Sequence, residues 1–321
     1  MPEHTITVLA PGTFSTIQDM GRPGLAHSGI PSGGAADLRS HVIGNRIVGN
    51  PDNAASVEMT LSGATVRFDA ATVFVVVGAP AEALLGAPGE TNQRIGCGRI
   101  QHAKPGDIVS IAAISSGART YLCVAGGIDV PVVLGSRSTL TSASVGGHEG
   151  RALRVGDVLS LGAPTRRMVP RVAINSLTPT MLGFLDAPIT VVECEVDGAR
   201  YARGILEGSA WRVTPAFSRA GIRMTGGDSP NIIANAELTS RATIPGMIQQ
   251  TPSGELIILG PDGPTTGGYA VVGCVARVDL PRIGQLRPGN EVRLQVVSGE
   301  HARSCSIQAM RELDTSIPRV E

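Results

Sequence analysis

The sequence predicts a mainly β protein, built as barrels or sandwiches with few helices. Gly 41 and Pro 22 make up about a fifth of the 321 residues and are spread along the whole chain, which indicates many turns between short elements. Short apolar runs lie between these turns, whereas only two segments show helical periodicity. Strands at such short spacing favour barrels or sandwiches over a parallel sheet with crossover helices.

Most of the predicted elements are strands, because β-branched and apolar residues alternate between clusters of Gly, Pro, Asn or Asp. The predicted strands are Thr5–Leu9, Ser56–Leu61, Ala64–Phe68, Thr72–Val77, Asp107–Ile114, Arg119–Ala125, Ile189–Cys194, Glu255–Leu259, Gly268–Leu280 and Asn290–Val297. Two helices are predicted, Ala35–Val48 and His301–Leu313, because their apolar residues recur at steps of three and four. Gly49-Asn50-Pro51 supplies a stop signal for the first of them.

One turn occurs three times and points to a modular build. Each copy has Gly at its third position and is followed by apolar residues two apart; the copies are Lys104-Pro105-Gly106-Asp107, Arg154-Val155-Gly156-Asp157 and Arg287-Pro288-Gly289-Asn290. Arg119–Gly127 and Gly267–Gly273 also each place a Tyr before an apolar, Gly-containing strand. The repeats predict two related β-domains, residues 1–165 and 171–321, with a linker near Gly162–Pro170. Exchange of strands between the two domains stays open.

Composition excludes several functional classes. Lys+Arg 27 against Asp+Glu 27 leaves no net charge, which argues against a dedicated binder of nucleic acid or anionic membrane. The sole lysine, Lys104, lies in a turn, so the chain has no Walker A loop and no plausible Schiff-base or Ser–Lys site. The sequence contains no Gly-x-Ser-x-Gly elbow, and its six histidines form no metal-binding pair. We therefore expect neither a metal site nor a self-contained Ser-His-Asp enzyme.

The cysteines and the N-terminal sequence indicate the cellular compartment of the protein. The five cysteines lie at least 26 positions apart, so none has zinc-binding or C-x-x-C spacing. Their odd number favours a reducing compartment. Neither a secretory signal nor an apolar run of the ~18 residues that a membrane span needs is present in the sequence. These features predict a cytoplasmic protein.

Three Gly-rich polar loops are the candidate functional segments. In the first, Thr16–Gly24 with Gly29–Asp37, the second piece opens a predicted helix whose N–H groups can bind an anion. Ordinary capping by Ser32 or Asp37 is the weightier alternative. In the second loop, Gly126–Thr139, Arg137 lies between hydroxyl residues and can grip a carboxylate or phosphate. An arginine that holds the loop through carbonyl contacts is an equal alternative.

The third loop region is the densest and runs from Gly246 to Tyr269. Gln249 can hydrogen-bond a cyclic amide or a ureido group, and Asp262 can act as a base or orient water. The alternative, which carries more weight on the residues alone, is a hairpin turn at Asp262-Gly263.

Taken together and in this order, the three loops resemble the family known as allophanate hydrolase subunit 2. That family includes the C subunit of 5-oxoprolinase and the carboxyltransferase part of urea carboxylase. The resemblance covers nearly the whole chain and rests on Thr16–Gly24, Pro31–Asp37, Val48–Pro51, Glu58–Leu61, Tyr121–Asp129, Leu134–Thr139, Gly150-Arg151, Gly156-Asp157, Ser218–Gly221 and Pro261–Tyr269.

The resemblance implies two cyclophilin-like β-barrel domains and an obligate partner, the subunit-1-type chain, which is the B subunit of 5-oxoprolinase. It also implies the A subunit of that enzyme and an activity that couples ATP hydrolysis to the opening of 5-oxo-L-proline into L-glutamate. ATP, with magnesium, is expected in the assembled complex and not on this chain alone. The amidase part of the family label is not expected to apply, because the amidase nucleophile machinery is missing from this sequence.

Within this hypothesis each candidate residue has an expected role. Arg22 or Arg137 would bind the substrate carboxylate or phosphate, and Asp262 would orient or deprotonate water. The assignments are Asp262, Gln249 and Tyr269 to catalysis, and Arg22, Ser32, Arg137, Ser138 and Thr266 to substrate binding.

Two further functions remain open. A carboxyltransferase that moves carboxylate from biotin to urea or a related amide would need a separate biotin carrier, because this chain has no biotin-accepting Met-Lys sequence. The other is a regulatory binding protein that antagonises a kinase inhibitor and has no turnover of its own.

Overall fold

A computed structural model of the chain describes residues 4–89, 92–164, 187–193, 202–226 and 239–319. The chain divides into two compact units. Unit 1 consists of Met1–Arg22, Gly33–Leu182 and Asp314–Glu321, and unit 2 consists of Pro23–Ser32 and Gly183–Leu313. Each unit therefore contains a short segment from elsewhere in the sequence. The predicted domain boundary between residues 165 and 171 lies outside the described residues, as does most of the predicted linker.

Unit 1 contains two antiparallel sheets that share one apolar core. One sheet has the order β11-β1-β4-β9-β6-β7 and the other β2-β3-β10-β5-β8. Side chains from both sheets, such as Val8, Met59 and Val109, are fully buried in one cluster. The strands are β1 Thr5–Ala10, β2 Phe14–Gln18, β3 Ser56–Thr60, β4 Thr65–Phe68, β5 Thr72–Gly78, β6 Ala81–Gly86, β7 Gln93–Ile95, β8 Gln101–Ala103, β9 Ile108–Ile114, β10 Arg119–Val124 and β11 Val158–Ser160.

Helix α1, Leu38–Ile47, packs on β5 and β10. It begins three residues later than predicted because Asp37 is its N-cap: the Asp37 carboxylate accepts a hydrogen bond from the Ser40 N–H at 2.9 Å. Gly44 faces the sheet, where an added Cβ would lie 2.5 Å from the Cys123 sulfur. A glycine at this position therefore allows close packing of helix against sheet.

A buried arginine on α1 holds a segment that follows unit 2 in the sequence. Arg46 is 2 % exposed and forms a two-bond ion pair with Asp52, at 2.7 and 2.8 Å. Its Nη1 donates to the Asp314 carboxylate at 2.9 Å and to the Ile317 carbonyl at 2.7 Å. Ile317 itself is fully buried. Residues 314–317 are thus an integral part of unit 1.

Unit 2 is a nearly closed barrel. Its eight-stranded sheet has the order β20-β13-β14-β17-β16-β19-β12-β21, and its two edges, β20 and β21, are separated in the chain by Arg293 alone. The strands are β12 Ile189–Glu193, β13 Trp211–Phe217, β14 Gly221–Gly226, β15 Arg241–Ala242, β16 Met247–Gln250, β17 Leu256–Leu259, β18 Thr266–Gly267, β19 Ala270–Val275, β20 Glu291–Val292 and β21 Leu294–Val297. The helices are α2 Ala202–Glu207, α3 Leu280–Ile283 and α4 Gly299–Ser316, and the last three residues of α4 belong to unit 1. Strand β15 pairs with β18.

The turn that occurs three times in the sequence is present in the structure, and its three copies have the same geometry. Its glycine has φ +90° each time, at Gly106, Gly156 and Gly289, a conformation that favours glycine. The Asp or Asn that follows accepts a hydrogen bond from the N–H three residues earlier, at 2.8, 2.8 and 2.9 Å. Each copy forms two backbone hydrogen bonds with one residue of a strand. The partner is Phe68 for the first copy, Val8 for the second and Val213 for the third. The same local solution therefore fixes strand ends in both units.

The predicted fold class, mainly β with few helices, is confirmed. The predicted strand Gly268–Leu280 is too long: β19 ends at Val275, and a 3-10 turn at Arg277–Asp279 and then α3 follow. Pro281, near the start of α3, explains the change because proline has no N–H for a sheet and a fixed φ that suits a first helical turn. Within the described ranges, no helix is both long and apolar enough to cross a bilayer.

Candidate functional site

The predicted site residues are divided between the two units. Arg22, Arg137 and Ser138 lie in unit 1. The others, Ser32, Gln249, Asp262, Thr266 and Tyr269, lie in unit 2. The predicted site residues of the two units differ in whether their buried polar atoms have hydrogen-bond partners.

In unit 1, the predicted residues surround a buried carboxylate that was not singled out from the sequence. Asp19 is 6 % exposed and accepts hydrogen bonds from the Gly21 N–H at 2.8 Å, the Ser136 hydroxyl at 2.6 Å, the Arg137 N–H at 2.6 Å and the Ser138 hydroxyl. We call these five residues the Asp19 cluster. Four donors occupy both carboxylate oxygens, so the cluster joins the first and second polar loops.

The two arginines of unit 1 also contact loop atoms. Arg22 is 1 % exposed, and its Nη2 donates to the Ser138 carbonyl. Arg137 donates from Nε to the Val130 carbonyl at 2.8 Å and from Nη2 to the half-exposed Asp129 carboxylate at 2.9 Å. The contacts of Arg137 fit the alternative in which this arginine holds its loop together through carbonyl contacts. Substrate binding by Arg22, Arg137 and Ser138 stays a prediction.

Buried polar side chains near α1 also hold the helix in place. The Tyr121 hydroxyl donates to Glu58 at 2.8 Å and accepts from the Asp37 N–H at 2.8 Å. Burial, followed by the charges of Glu58 and Asp37, holds the pKa of Tyr121 well above its usual range. Burial likewise lowers the pKa of His41 to about 4, so His41 is neutral at pH 7. Its ring nitrogens contact the Ser56 hydroxyl at 2.9 Å and the Asp52 carbonyl at 3.2 Å.

In unit 2, strand β16 carries two adjacent buried glutamines with unused hydrogen-bonding atoms. Gln249 and Gln250 are each 3 % exposed. The Gln249 Nε2 and both amide atoms of Gln250 are buried without a hydrogen-bond partner. Because buried polar groups in folded proteins are nearly always paired, these atoms are the clearest sign of a binding position in the described part of the chain.

Gln249 lies beneath the short strand β18. A Cβ added to Gly267 would lie 2.7 Å from the Gln249 Nε2, so glycine permits this close approach. Thr266, next to Gly267, is exposed, and Tyr269 is 43 % exposed. The structure thus brings Gln249 next to the Thr266–Gly267 strand and leaves Thr266 and Tyr269 accessible.

Asp262 is held by an arginine that lies in a sequence motif to which no role was assigned. Arg219 donates from Nε and Nη2 to the two Asp262 oxygens at 2.7 and 2.8 Å, and both side chains are less than 9 % exposed. Such a two-bond pair fixes the carboxylate firmly. The Ser32 hydroxyl lies 3.5 Å from the carbonyl of Pro261, the residue before Asp262. Ser32 and Asp262 are thus close, although a base role for Asp262 stays a prediction.

The described residues were also compared with the arrangement that a protein-bound metal ion needs. Nowhere among them do three or more His, Cys, Asp or Glu side chains come together as they would around a metal ion.

Comparisons with known proteins fit this architecture. Residues 28–296 match the family described as carboxyltransferase domain, subdomain A and B. The chain is 33% identical to the C subunit of 5-oxoprolinase from Escherichia coli over 298 residues, which covers 92% of this chain and 93% of that protein. It is 30% identical to urea amidolyase of Lachancea kluyveri, covering 98% of this chain and 18% of that protein.

A solved structure agrees with the sequence comparisons. The crystal structure of the K. lactis urea amidolyase superposes with a TM-score of 0.86 at 30% identity, covering 98% of this chain and 20% of that chain. The chain therefore spans about a fifth of the urea amidolyases and nearly all of the bacterial 5-oxoprolinase protein. From the family match over most of its length and from these relatives, the chain belongs to the carboxyltransferase domain, subdomain A and B, family.

Proposed function

We propose that this chain is the C subunit of an ATP-dependent 5-oxoprolinase and that it acts together with the A and B subunits. The identity to two bacterial relatives over most of their length supports this reading. The 5-oxoprolinase C subunits of Escherichia coli and Haemophilus influenzae are each covered over 93% of their length, at 33% and 31% identity.

The observation that carries the proposal at the level of residues is the unpaired amide nitrogen of Gln249. A buried N–H donor without a partner is costly, and a carbonyl oxygen of a bound substrate would satisfy it. The ring carbonyl of 5-oxo-L-proline is such an acceptor. Thr266 and Tyr269 would contact the same ring from the accessible side of β18, and Gly267 leaves the space for it.

Asp262 would orient or deprotonate the attacking water only if its ion pair with Arg219 opens in the complex. Both oxygens of Asp262 now accept from Arg219. Of the two arginines proposed for the substrate carboxylate or phosphate, Arg137 fits better than Arg22, because the Arg137 side chain is 34 % exposed and that of Arg22 is buried. Ser32 and Ser138 would assist as hydroxyl donors.

The test is reconstitution of the complex with the A and B subunits. The assay measures glutamate formed from 5-oxo-L-proline, with and without ATP and with this chain omitted. We expect ATP-dependent glutamate formation that is lost without this chain. Gln249→Leu should lower kcat/KM by about tenfold or more, since a donor to the substrate is lost. Gln295→Leu, the same substitution at an exposed position of β21, is the matched control. Turnover that does not depend on this chain would refute the proposal.

A second candidate is a carboxyltransferase component of a biotin-dependent urea or amide carboxylase. The matches to urea amidolyases favour it, and the ureido carbonyl of biotin is an acceptor that would suit the Gln249 amide nitrogen equally well. Biotin would arrive on a separate carrier protein. Transfer of labelled carboxylate from carboxybiotin to urea by the assembled proteins, without glutamate formation, would establish this reading in place of the first.

A further inference from the structure

Helix α4 carries a histidine and a cysteine one turn apart, at His301 and Cys305. Residues four apart on a helix are neighbours on its surface, and the Cys305 Sγ lies 3.5 Å from the His301 Nε2. His301 is exposed and Cys305 is half-buried, so solvent reaches the pair. The expectation of no metal site rested on spacing among cysteines and among histidines, and a mixed pair escapes both rules.

The separation of the two atoms is close to the one that a tetrahedral metal ion requires. Zinc binds at about 2.3 Å from a thiolate sulfur and at about 2.0–2.1 Å from an imidazole nitrogen. When the angle between these two bonds is tetrahedral, the sulfur and the nitrogen lie about 3.6 Å apart. The 3.5 Å between Sγ of Cys305 and Nε2 of His301 therefore lets one ion bind both atoms without a change in the helix.

The turn of α4 that carries the pair is fixed by its own contacts. The Ser298 hydroxyl accepts a hydrogen bond from the His301 N–H at 3.2 Å, and the Ser298 carbonyl accepts one from the Ala302 N–H at 3.0 Å. Ala302 is 6 % exposed and anchors this turn in unit 2. Ligands on a fixed turn lose little conformational freedom when they bind a metal ion.

The two donor atoms select the class of metal ion. Thiolate and imidazole ligands suit zinc, whereas calcium and magnesium prefer oxygen ligands. Arg303 is the sole lysine or arginine between Val297 and Ala309. At about 100° per residue it lies on the side of the helix opposite to His301 and Cys305, so it does not place its charge beside the ion.

We propose that His301 and Cys305 form a binding site for one zinc ion, whose two remaining coordination positions are held by water. On binding, the S–H bond of Cys305 breaks, the electron pair stays on the sulfur and forms the bond to zinc, and the proton goes to solvent. The lone pair of the His301 Nε2 forms the second bond. The site uses none of the residues of the proposed function and does not depend on that function.

Cobalt(II) is the probe because, unlike zinc, it gives visible and near-ultraviolet absorption when a thiolate binds it. Cobalt chloride is titrated into the whole 321-residue chain, reduced, metal-free and without an affinity tag, and zinc chloride is then added. Zinc affinity is measured in parallel by competition with a coloured chelator. Cys305→Ser and His301→Gln each remove one ligand. Their matched controls are Cys97→Ser, at another half-buried cysteine, and His102→Gln, at another exposed histidine.

We expect a thiolate-to-cobalt charge-transfer band that saturates at one ion per chain and disappears when zinc is added. Two ligands give about half of the binding free energy of a four-ligand site, so the Kd for zinc should lie between about 1 and 100 µM. Cys305→Ser should lose the band, and His301→Gln should bind zinc at least about tenfold more weakly. Both controls should behave as the unaltered protein does, and magnesium at roughly millimolar concentration should not compete.

Four results would overturn the proposal. The first is the lack of a saturable band, and the second is a band that persists in Cys305→Ser, which would place the metal on a different cysteine. In the third, His301→Gln binds zinc as tightly as the unaltered protein, so that the thiol acts alone. In the fourth, saturation at one ion per two chains shows a site shared between two copies. If circular dichroism shows that one variant does not fold, the other variant and the stoichiometry of the unaltered protein decide.

Discussion

The Asp19 cluster of unit 1 and the glutamine pair of β16 in unit 2 come from similar Gly-rich polar segments and differ in hydrogen bonding. Asp19 accepts from four donors at once, whereas Gln249 and Gln250 together leave three buried amide atoms unpaired. A carboxylate whose two oxygens both accept hydrogen bonds stabilises the loops that it joins. An unpaired buried amide lowers the stability of the fold, and a ligand that hydrogen-bonds to it removes that penalty. From this difference we propose a structural role for the Asp19 cluster and a binding role for the glutamine pair.

The largest effect is expected from Asp19→Ala. The substitution leaves two hydroxyls and two backbone N–H groups buried without their acceptor, so the free energy of unfolding should fall by about 3–5 kcal/mol. Urea denaturation followed by circular dichroism measures it. The control is Asp129→Ala, because the Asp129 side chain is 56 % exposed and its ion pair is with Arg137; its loss should be about 1 kcal/mol or less. Equal losses would remove the structural role of Asp19.

The next effect concerns pH and His41. Since the folded chain protonates His41 near pH 4 and the unfolded chain near 6.5, its contribution to stability is complete above about pH 6.5 and is lost as the pH falls toward 4. The change amounts to about 3 kcal/mol. Urea denaturation at several pH values should show a shallower slope for His41→Gln than for the unaltered protein. His102→Gln, the same substitution at an exposed position, is the matched control for the loss of a histidine. Parallel slopes for His41→Gln and the unaltered protein would contradict the prediction.

Asp262→Asn should have an intermediate effect. The amide keeps one acceptor for Arg219 but removes the opposing charge, so the free energy of unfolding should drop by about 2 kcal/mol. Asp279→Asn is the matched control, since Asp279 pairs with Arg282 in the same unit at similar burial. If Asp262 also acts on water, its variant alone should lose activity in the assembled complex at a temperature where both are folded. Full activity of the Asp262 variant would remove Asp262 from the mechanism.

The smallest effect has the opposite sign. Gln250→Leu replaces an unpaired buried amide with an apolar side chain of similar size, so we expect the free energy of unfolding to rise by about 1–2 kcal/mol. Thermal and urea unfolding of the ligand-free protein measure the gain, with Gln295→Leu as the reference. A loss of stability in Gln250→Leu would mean that the amide is already satisfied, and the contrast with the Asp19 cluster would fail.

Local structure could be predicted from the sequence better than the roles of the polar residues. The strands at Thr5–Leu9 and Ser56–Leu61 were predicted to within one residue. A strand is recognised from alternating residues and β-branched side chains within the segment itself, so no distant partner is needed. The start of α1 at Leu38 needed the cap geometry of Asp37. The roles around Asp19 depend on partners more than 100 positions away, such as Ser138, and no spacing rule connects them.

The candidate site shows the same limit. The chemistry of Gln249 suggested hydrogen bonding to an amide, but only the strand register shows that Gln249 and Gln250 face opposite sides of β16. Arg219 lies in the Ser218–Gly221 motif of the family resemblance. Its pairing with Asp262 joins residues 43 positions apart, so it depends on the fold. Arg137 could equally bind a ligand or hold a loop, because a guanidinium has the same donors for both.

The clamp formed by Arg46 has a consequence for synthesis of the protein. Asp314 and Ile317, which Arg46 binds, leave the ribosome after the whole of unit 2, although they complete unit 1. Unit 1 therefore cannot reach its final packing during its own translation, contrary to the usual order in which an N-terminal domain folds first. A stop codon at position 314 would leave the buried Arg46 paired with Asp52 but without its two later partners, so a nascent chain that ends at Leu313 would carry an unfinished first unit.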